Sequence, residues 1–228
     1  MEKDRRDINP KHTGVGIFGG TFDPVHNGHL RVISHVRQQF SLSLVHLVLS
    51  STPPHKTDRP LAPARTRMVM LRQAVDELPG LCASDIELRR SGFSFTIDTI
   101  EHFLAMPETG TDLYFILGSD AFADMGTWKR TRDIFRLASL IIMVRPGHGL
   151  DLGDACGVIN TMLSERYHYD RDADALVHQD LKPVHLCRVP EMPISSTQIR
   201  NLIRNGSSIS SLVPGPVEAI IREQGLYL

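Results

Sequence analysis

The sequence predicts an α/β fold with a doubly wound, mostly parallel sheet and a C-terminal helical portion. Four short apolar runs, at residues 15–18, 44–49, 113–117 and 140–144, are rich in aliphatic side chains and indicate buried parallel strands. Segments with a helical period separate these runs. Because strands that alternate with helices form right-handed βαβ crossovers, the pattern favours a Rossmann-like arrangement with helices on both faces of one open sheet.

The remaining elements follow from the same periods. After the first strand, a helix is predicted whose apolar face consists of Leu30, Ile33, Val36 and Phe40. After the second strand, a further helix has the apolar face Met68, Leu71, Val75 and Leu78 and ends at Pro79-Gly80. Weaker strands are predicted at residues 83–88 and 184–189, and further helices at 96–105, 197–205 and 216–224. Residues 147–183 lose the pattern, and we expect one helix and an irregular excursion there.

Length, charge and cysteine content exclude several classes of protein. In a chain of 228 residues we expect one domain over residues 14–228, after a flexible extension at 1–13. The net charge of -1 leaves no general basic field for nucleic acid. The three cysteines form no C-x-x-C pair, which argues against a disulfide framework or a zinc site. No apolar run is long enough to span a membrane, so we expect a cytoplasmic protein. The sequence is also compatible with a homo-oligomer.

The most informative segment, G-G-T-F-D-P-V-H-N-G-H, begins at Gly19, where the first strand gives way to the first helix. In an open α/β sheet such a junction is a ligand crevice. Gly19 and Gly20 allow backbone N–H groups to approach an anion closely, and the helix start offers further donors and a positive dipole end. The segment therefore predicts a polyphosphate site.

Two histidines in this segment are candidates for catalysis. His26 and His29 lie three residues apart around Gly28, so both rings can face one side of the first helical turn. There, N–H donors can stabilise the charge on a transferring phosphoryl group without any covalent step. The structural alternative is that His26 caps the helix and His29 packs at its start. A P-loop is not indicated, and G-x-G-x-x-G overlaps the strand instead of following it.

A second candidate phosphate site is the segment I-S-S-T-Q-I-R at residues 194–200, which precedes a helix with an apolar face. Ser195 or Ser196 is a natural N-cap, and capping alone would explain either residue. The functional interpretation adds Thr197, the helix N-terminus and Arg200 one turn in, which together form another polyphosphate cradle.

With both motifs present, in this order and at opposite ends of the chain, the sequence resembles the T/HxGH nucleotidyltransferase superfamily. Within it, the chain looks most similar to the bacterial nicotinate-nucleotide adenylyltransferases, from about residue 16 to the C-terminus except across 147–183. The finer marks are short segments in the family's order: Pro54-His55-Lys56, Ser94-Phe95-Thr96, Gly118-Ser119-Asp120, Thr127-Trp128, Arg145-Pro146-Gly147 and Gln224-Gly225-Leu226-Tyr227.

The resemblance implies transfer of AMP from ATP to nicotinic acid mononucleotide, which gives deamido-NAD and pyrophosphate in NAD biosynthesis. It implies that His26 and His29 are catalytic and that ATP is held by Gly19, Gly20, Thr21, Phe22, His26, His29, Ser195, Ser196, Thr197 and Arg200. Mg²⁺ would be bound through the ATP phosphates, with no metal ligand from the protein. The acceptor would contact His55, Lys56, Thr96, Asp120, Trp128 and Arg145. Core packing is an alternative explanation for Trp128.

Three alternatives stay open at this point. An adenylyl or cytidylyl group could be transferred to another phosphate, such as nicotinamide mononucleotide or phosphopantetheine. The chain could be a regulatory nucleotide-binding module without turnover, although the presence of His26, His29 and Arg200 argues against this. A fragment of a class I aminoacyl-tRNA synthetase is disfavoured, because the chain has no K-M-S-K-S segment.

Overall fold

A computed structural model describes residues 14–51, 61–90, 92–106, 112–147 and 149–228. The strands are β1 (Gly14–Gly20), β2 (Leu42–Leu49), β3 (Leu81–Ser84), β4 (Asp112–Gly118), β5 (Ser139–Val144), β6 (His168–Asp170), β7 (Ala175–Val177) and β8 (Val184–Arg188). They form one eight-stranded sheet in the order β3-β2-β1-β4-β5-β8-β7-β6.

The helices are α1 (Asn27–Gln39), α2 (Ala64–Val75), α3 (Thr96–Leu104), α4 (Ser119–Ala123), α5 (Thr131–Leu137), α6 (Leu152–Leu163), α7 (Ser196–Arg204) and α8 (Gly215–Glu223). Two short 3₁₀ helices lie at Ile86–Arg89 and Met125–Thr127. The helices predicted at 96–105, 197–205 and 216–224 are confirmed within one residue at each end. Within the described ranges, no helix has the length and apolar character needed to cross a bilayer.

The sheet confirms the predicted fold class. The six strands in the order β3-β2-β1-β4-β5-β8 all pair in parallel. Strand β7 pairs antiparallel with both β6 and β8. The chain winds from β1 outward to β3 and then returns to place β4 on the other side of β1. Ligands of open α/β sheets bind at the carboxyl edge where the winding reverses. This fold therefore places the ligand crevice above the ends of β1 and β4.

Helices cover both faces of the sheet because neighbouring strand residues point to opposite sides. In β5, Ile141 and Met143 belong to one apolar cluster, whereas Leu140 and Ile142 belong to the other. The first cluster includes the apolar faces of α1, α2, α7 and α8, and the second includes those of α3 to α6. The two helices that start at the predicted phosphate motifs, α1 and α7, thus lie on the same face.

The predicted strand at 83–88 is wrong after Ser84, where the chain enters the 3₁₀ helix. Asp85 pairs with Arg72 of α2 at 3.0 Å and with Arg89 at 2.8 Å, which draws this segment away from the sheet edge. Glu87 is buried and accepts a hydrogen bond from the Thr99 hydroxyl at 3.0 Å. These side-chain contacts replace ladder hydrogen bonds and end β3 early.

The excursion predicted within residues 147–183 is more regular than expected. The expected helix is α6, and β6 and β7 then form an antiparallel hairpin that extends the sheet. The Asp170 carboxylate accepts the backbone N–H groups of Asp172 at 2.9 Å and Ala173 at 3.1 Å, which closes the turn. Aspartate side chains stabilise turns in this way because they bond the backbone two or three residues ahead.

Candidate active site

Two histidines form a reciprocal cap at the start of α1. Nδ1 of His26, the N-cap residue, accepts the backbone N–H of His29 at 3.3 Å, and Nδ1 of His29 accepts the backbone N–H of His26 at 3.3 Å. The rings stack with centroids 3.6 Å apart, and the edge of the Phe22 ring meets His29 with centroids 5.2 Å apart. The capping alternative for His26 is confirmed, but a cap uses only one nitrogen of each ring.

The cap determines the tautomer of both histidines. A ring nitrogen that accepts a backbone N–H carries no proton, so the proton of each neutral ring lies on Nε2. Burial, assisted by the positive charge of Arg145, lowers the pKa of His26 to about 4. His26 is therefore neutral at pH 7 and carries an Nε2–H donor, as a transition-state hydrogen bond would require.

The glycines of the motif make room for neighbouring side chains. A Cβ atom on Gly28 would lie 2.9 Å from Nδ1 of His26, so the histidine cap requires glycine at this position. A Cβ atom on Gly20 would lie 2.7 Å from the Phe22 ring, whereas one on Gly19 would meet nothing within 4 Å. Gly20 and Gly28 thus accommodate the turn itself, and Gly19 exposes backbone to an open space where an anion can approach.

A buried arginine that the sequence analysis missed holds the turn after β1. Arg67 of α2 is 2% exposed, and its Nη1 donates to the carbonyl oxygens of Thr21 at 2.7 Å and Ser50 at 3.2 Å. Its Nε donates to the carbonyl oxygen of Ala62 at 2.9 Å. One guanidinium thus ties the ends of β1 and β2 to the segment before α2. The signal in the sequence that could have revealed this role was the position of a charged residue, Arg67, beside the apolar face of the helix.

The second motif lies against the first. Ser195 is the N-cap of α7, because its Oγ accepts the backbone N–H of Gln198 at 3.1 Å. Ser196 Oγ donates to the carbonyl oxygen of Pro24 at 2.9 Å, although the two residues are 172 positions apart. The N-termini of α1 and α7, each with a positive dipole end, are therefore brought together.

Arg200 links the two motifs from within the core. It is 4% exposed, and Nη1 donates to the Asp23 carbonyl oxygen at 2.6 Å while Nη2 donates to Thr197 Oγ1 at 2.9 Å. These bonds give Arg200 and Thr197 a structural role in joining the two turns. Contact between Arg200 and ATP stays a prediction.

Two of the predicted acceptor residues lie on adjoining segments. Thr96 is the first residue of α3, and Trp128 follows the 3₁₀ helix that precedes α5. The segments meet where the Lys129 ammonium lies 4.4 Å from the centre of the Phe95 ring. Trp128 is half-buried and packs edge-on against Phe115, with centroids 6.1 Å apart, so core packing explains part of its environment.

The remaining predicted acceptor residues are dispersed. Asp120 is exposed in the first turn of α4 and lines a shallow groove of about 310 Å³. Arg145 is exposed directly after β5, and its charge acts on His26, which places it near the histidine pair. His55 and Lys56 lie outside the described residues.

The chain matches the cytidylyltransferase-like family over residues 17–202. A relative from Desulfatibacillum aliphaticivorans, named "Probable nicotinate-nucleotide adenylyltransferase", is 38% identical over 94% of this chain and 99% of its own length. A relative of the same name from Geotalea daltonii is 37% identical over 93% of this chain and 97% of its own length.

The fold also matches a solved structure, that of Plasmodium falciparum nicotinic acid mononucleotide adenylyltransferase complexed with NaAD. The TM-score is 0.68 at 19% identity, over 95% of this chain and 98% of the other. At this identity the match supports the fold, whereas the two sequence relatives carry the family assignment.

Proposed function

Because this chain belongs to the cytidylyltransferase-like family and, within it, to the nicotinate-nucleotide adenylyltransferases, we propose that it transfers AMP from ATP to nicotinic acid mononucleotide. The products are deamido-NAD and pyrophosphate, so the protein acts as a nucleotidyltransferase in NAD biosynthesis. The observation that carries this proposal is the junction of the two motifs, where Ser196 bonds to Pro24 and Arg200 bonds to Asp23. One site thereby combines two helix N-termini with the histidine pair.

In the proposed reaction, a phosphate oxygen of the acceptor attacks the α-phosphorus of ATP in line. The bond from this phosphorus to the bridging oxygen breaks, and pyrophosphate leaves. Because the histidine cap puts the proton of His26 on Nε2, this ring can donate to the charge that develops on the transferring group without losing a proton. Positioning by the two helix starts supplies the remainder of the rate enhancement.

The ATP phosphates are proposed to meet backbone N–H groups from Gly19 to Phe22, together with the start of α7. The open space at Gly19 supports this placement, since a phosphate needs unobstructed backbone. At the acceptor end, the Thr96 hydroxyl and nearby backbone N–H groups are proposed to donate to the nicotinate carboxylate. Trp128 would stack on the pyridinium ring.

Mg²⁺ is proposed to enter on the ATP phosphates. Among the described residues, no group of three or more histidine, cysteine, aspartate or glutamate side chains could hold a metal ion. Magnesium commonly retains several waters and binds through substrate phosphates, so the proposal assigns it no ligand from the protein. When bound, the ion would neutralise part of the triphosphate charge.

We propose a cytoplasmic location for the protein. Cys156 and Cys187 are free thiols, which is typical of proteins in a reducing compartment.

A panel of acceptors tests the proposed reaction. The purified protein is incubated with ATP, Mg²⁺ and, separately, nicotinate mononucleotide, nicotinamide mononucleotide or phosphopantetheine, and the products are identified by mass. Deamido-NAD and one pyrophosphate per turnover are expected with the first acceptor. If only phosphopantetheine gave a product, the protein would catalyse a different adenylyl transfer from the one proposed. If no acceptor released pyrophosphate, the result would support a regulatory module without turnover.

A further inference from the structure

The penultimate residue of the chain reaches the histidine turn. Tyr227 donates its hydroxyl hydrogen to Asp23 Oδ1 over 2.8 Å, although 204 positions separate the two residues. Asp23 is 2% exposed and stands three residues before His26, and its carbonyl oxygen accepts from Arg200. The proposed reaction uses neither the Tyr227 hydroxyl nor the Asp23 carboxylate, so this contact has a separate role.

The C-terminal tail is built to direct Tyr227 toward this turn. Helix α8 ends in a Schellman motif, in which Gly225 adopts φ +56 and the Leu226 N–H donates to the Ile221 carbonyl oxygen at 3.0 Å. Leu226 packs against the apolar cluster on the α1 face of the sheet. Tyr227 then adopts φ +67, which is uncommon for a residue with a side chain. The surrounding contacts hold the tail in this conformation.

The Asp23 carboxylate connects the tail to two further segments. Oδ1 also accepts the backbone N–H of Ala62, just before α2, at 3.2 Å. Oδ2 is buried without a hydrogen-bond partner among the described residues, and Arg200 Nη1 lies 3.9 Å away from it. Buried carboxylates depend on hydrogen-bond donors. The Tyr227 hydroxyl is one of two donors bonded to this carboxylate among the described residues.

We propose that Tyr227 is a positioning residue for the ATP site, because its hydroxyl holds the Asp23 carboxylate and thereby the turn that carries His26. The inference rests on the proposed function, since this turn is where the ATP phosphates bind. Without the hydroxyl, the carboxylate keeps one hydrogen bond, from the Ala62 N–H, and the ion pair with Arg200 at 3.9 Å, so the turn is held less tightly. Ordering such a turn consumes part of the binding free energy, so ATP binds more weakly. The acceptor site at Thr96 is unaffected.

The test compares Tyr227→Phe with Thr66→Val. Thr66 Oγ1 donates to Gln224 Oε1 at 3.2 Å, so the control removes a different hydrogen bond to the same C-terminal segment. The Kd for the Mg²⁺ complex of α,β-methylene-ATP is measured by calorimetry, and exchange of the Ala62 amide hydrogen is followed in the unliganded proteins. Tyr227→Phe should weaken analogue binding roughly tenfold, the scale for losing a hydrogen bond to a charged group, and should speed exchange. Thr66→Val should leave both unchanged.

Steady-state kinetics give a second measurement. In Tyr227→Phe, the KM for ATP should rise while the KM for nicotinate mononucleotide stays within about twofold, since the acceptor does not contact the turn. A purely structural role would lower Tm and the active fraction but leave the analogue Kd unchanged. That outcome, or equal weakening in Thr66→Val, would overturn the inference. Wild-type protein that fails to adenylylate nicotinate mononucleotide would refute the proposed function, whereas the analogue Kd would still decide the role of Tyr227.

Discussion

Replacing Gly28 by alanine separates stability from catalysis in this protein. The added Cβ atom would lie 2.9 Å from Nδ1 and 3.1 Å from Cε1 of His26. Non-bonded heavy atoms of other residues essentially never lie within 3.0 Å of a Cβ atom, so the ring must move. His26 is 5% exposed and stacked on His29 at 3.6 Å, so it cannot shift without breaking the reciprocal cap.

The expected change in stability is small because two effects oppose each other. Losing the N-cap hydrogen bond costs about 0.5–2 kcal/mol, whereas alanine is favoured over glycine inside a helix by about 0.8–1.0 kcal/mol. The free energy of unfolding of Gly28→Ala should therefore lie within about 1 kcal/mol of wild type. Turnover should nevertheless fall roughly 10² to 10³-fold, the scale for losing one preorganised donor.

Gly157→Ala is the matched control for this experiment. Gly157 lies in α6, and a Cβ atom there would meet nothing within 4 Å, so this variant should gain helix stability at full activity. Urea unfolding and pyrophosphate release are measured for both variants. Near-normal turnover in Gly28→Ala, or an equal loss of turnover in Gly157→Ala, would refute the assigned role of the histidine cap.

Three further predictions address single side chains. His29→Ala should lower turnover roughly 10² to 10³-fold with an unchanged circular-dichroism spectrum, and a near-normal rate would remove His29 from the mechanism. Arg200→Lys should raise the KM for ATP more than that for the acceptor, because lysine cannot reproduce a forked guanidinium contact; equal changes in initial-rate measurements would contradict this placement. Burial lowers the pKa of His46 to about 4, so the unfolded state binds more protons between pH 6.5 and 4, and stability falls as pH drops through this window. At pH 5, His46 contributes about 2 kcal/mol to this loss, and urea titration should show this contribution missing in His46→Asn; the same pH dependence in both proteins would contradict the buried neutral ring.

The sequence predicted the main strands and the location of both phosphate motifs because these depend on local patterns. Parallel strands buried on both faces are short apolar runs, and β1, β2, β4 and β5 were recognised as such. The hairpin of β6 and β7 was missed because its strands have only three residues each, which is too few to show a period.

The internal connections of the site were beyond sequence reasoning because they join distant parts of the chain. Histidine is not among the preferred N-cap residues, so the sequence offered the cap by His26 only as an alternative and did not indicate the reciprocal bond to His29. Arg67 donates to carbonyl oxygens that only the fold brings together. Tyr227 was noted as part of a C-terminal mark, but its hydrogen bond to Asp23 depends on the position of α8.

The most direct test of the central claim is the ratio of kcat/KM for nicotinate mononucleotide to kcat/KM for nicotinamide mononucleotide. A carboxylate can accept hydrogen bonds from the Thr96 hydroxyl and nearby backbone N–H groups, whereas a carboxamide brings its own donors to the same place. A site that pairs a polar group rejects a mismatched analogue strongly, so the ratio should be at least ~10² for the wild type and should fall in Thr96→Val. Equal efficiencies with the two acceptors in the wild type would contradict the assigned substrate.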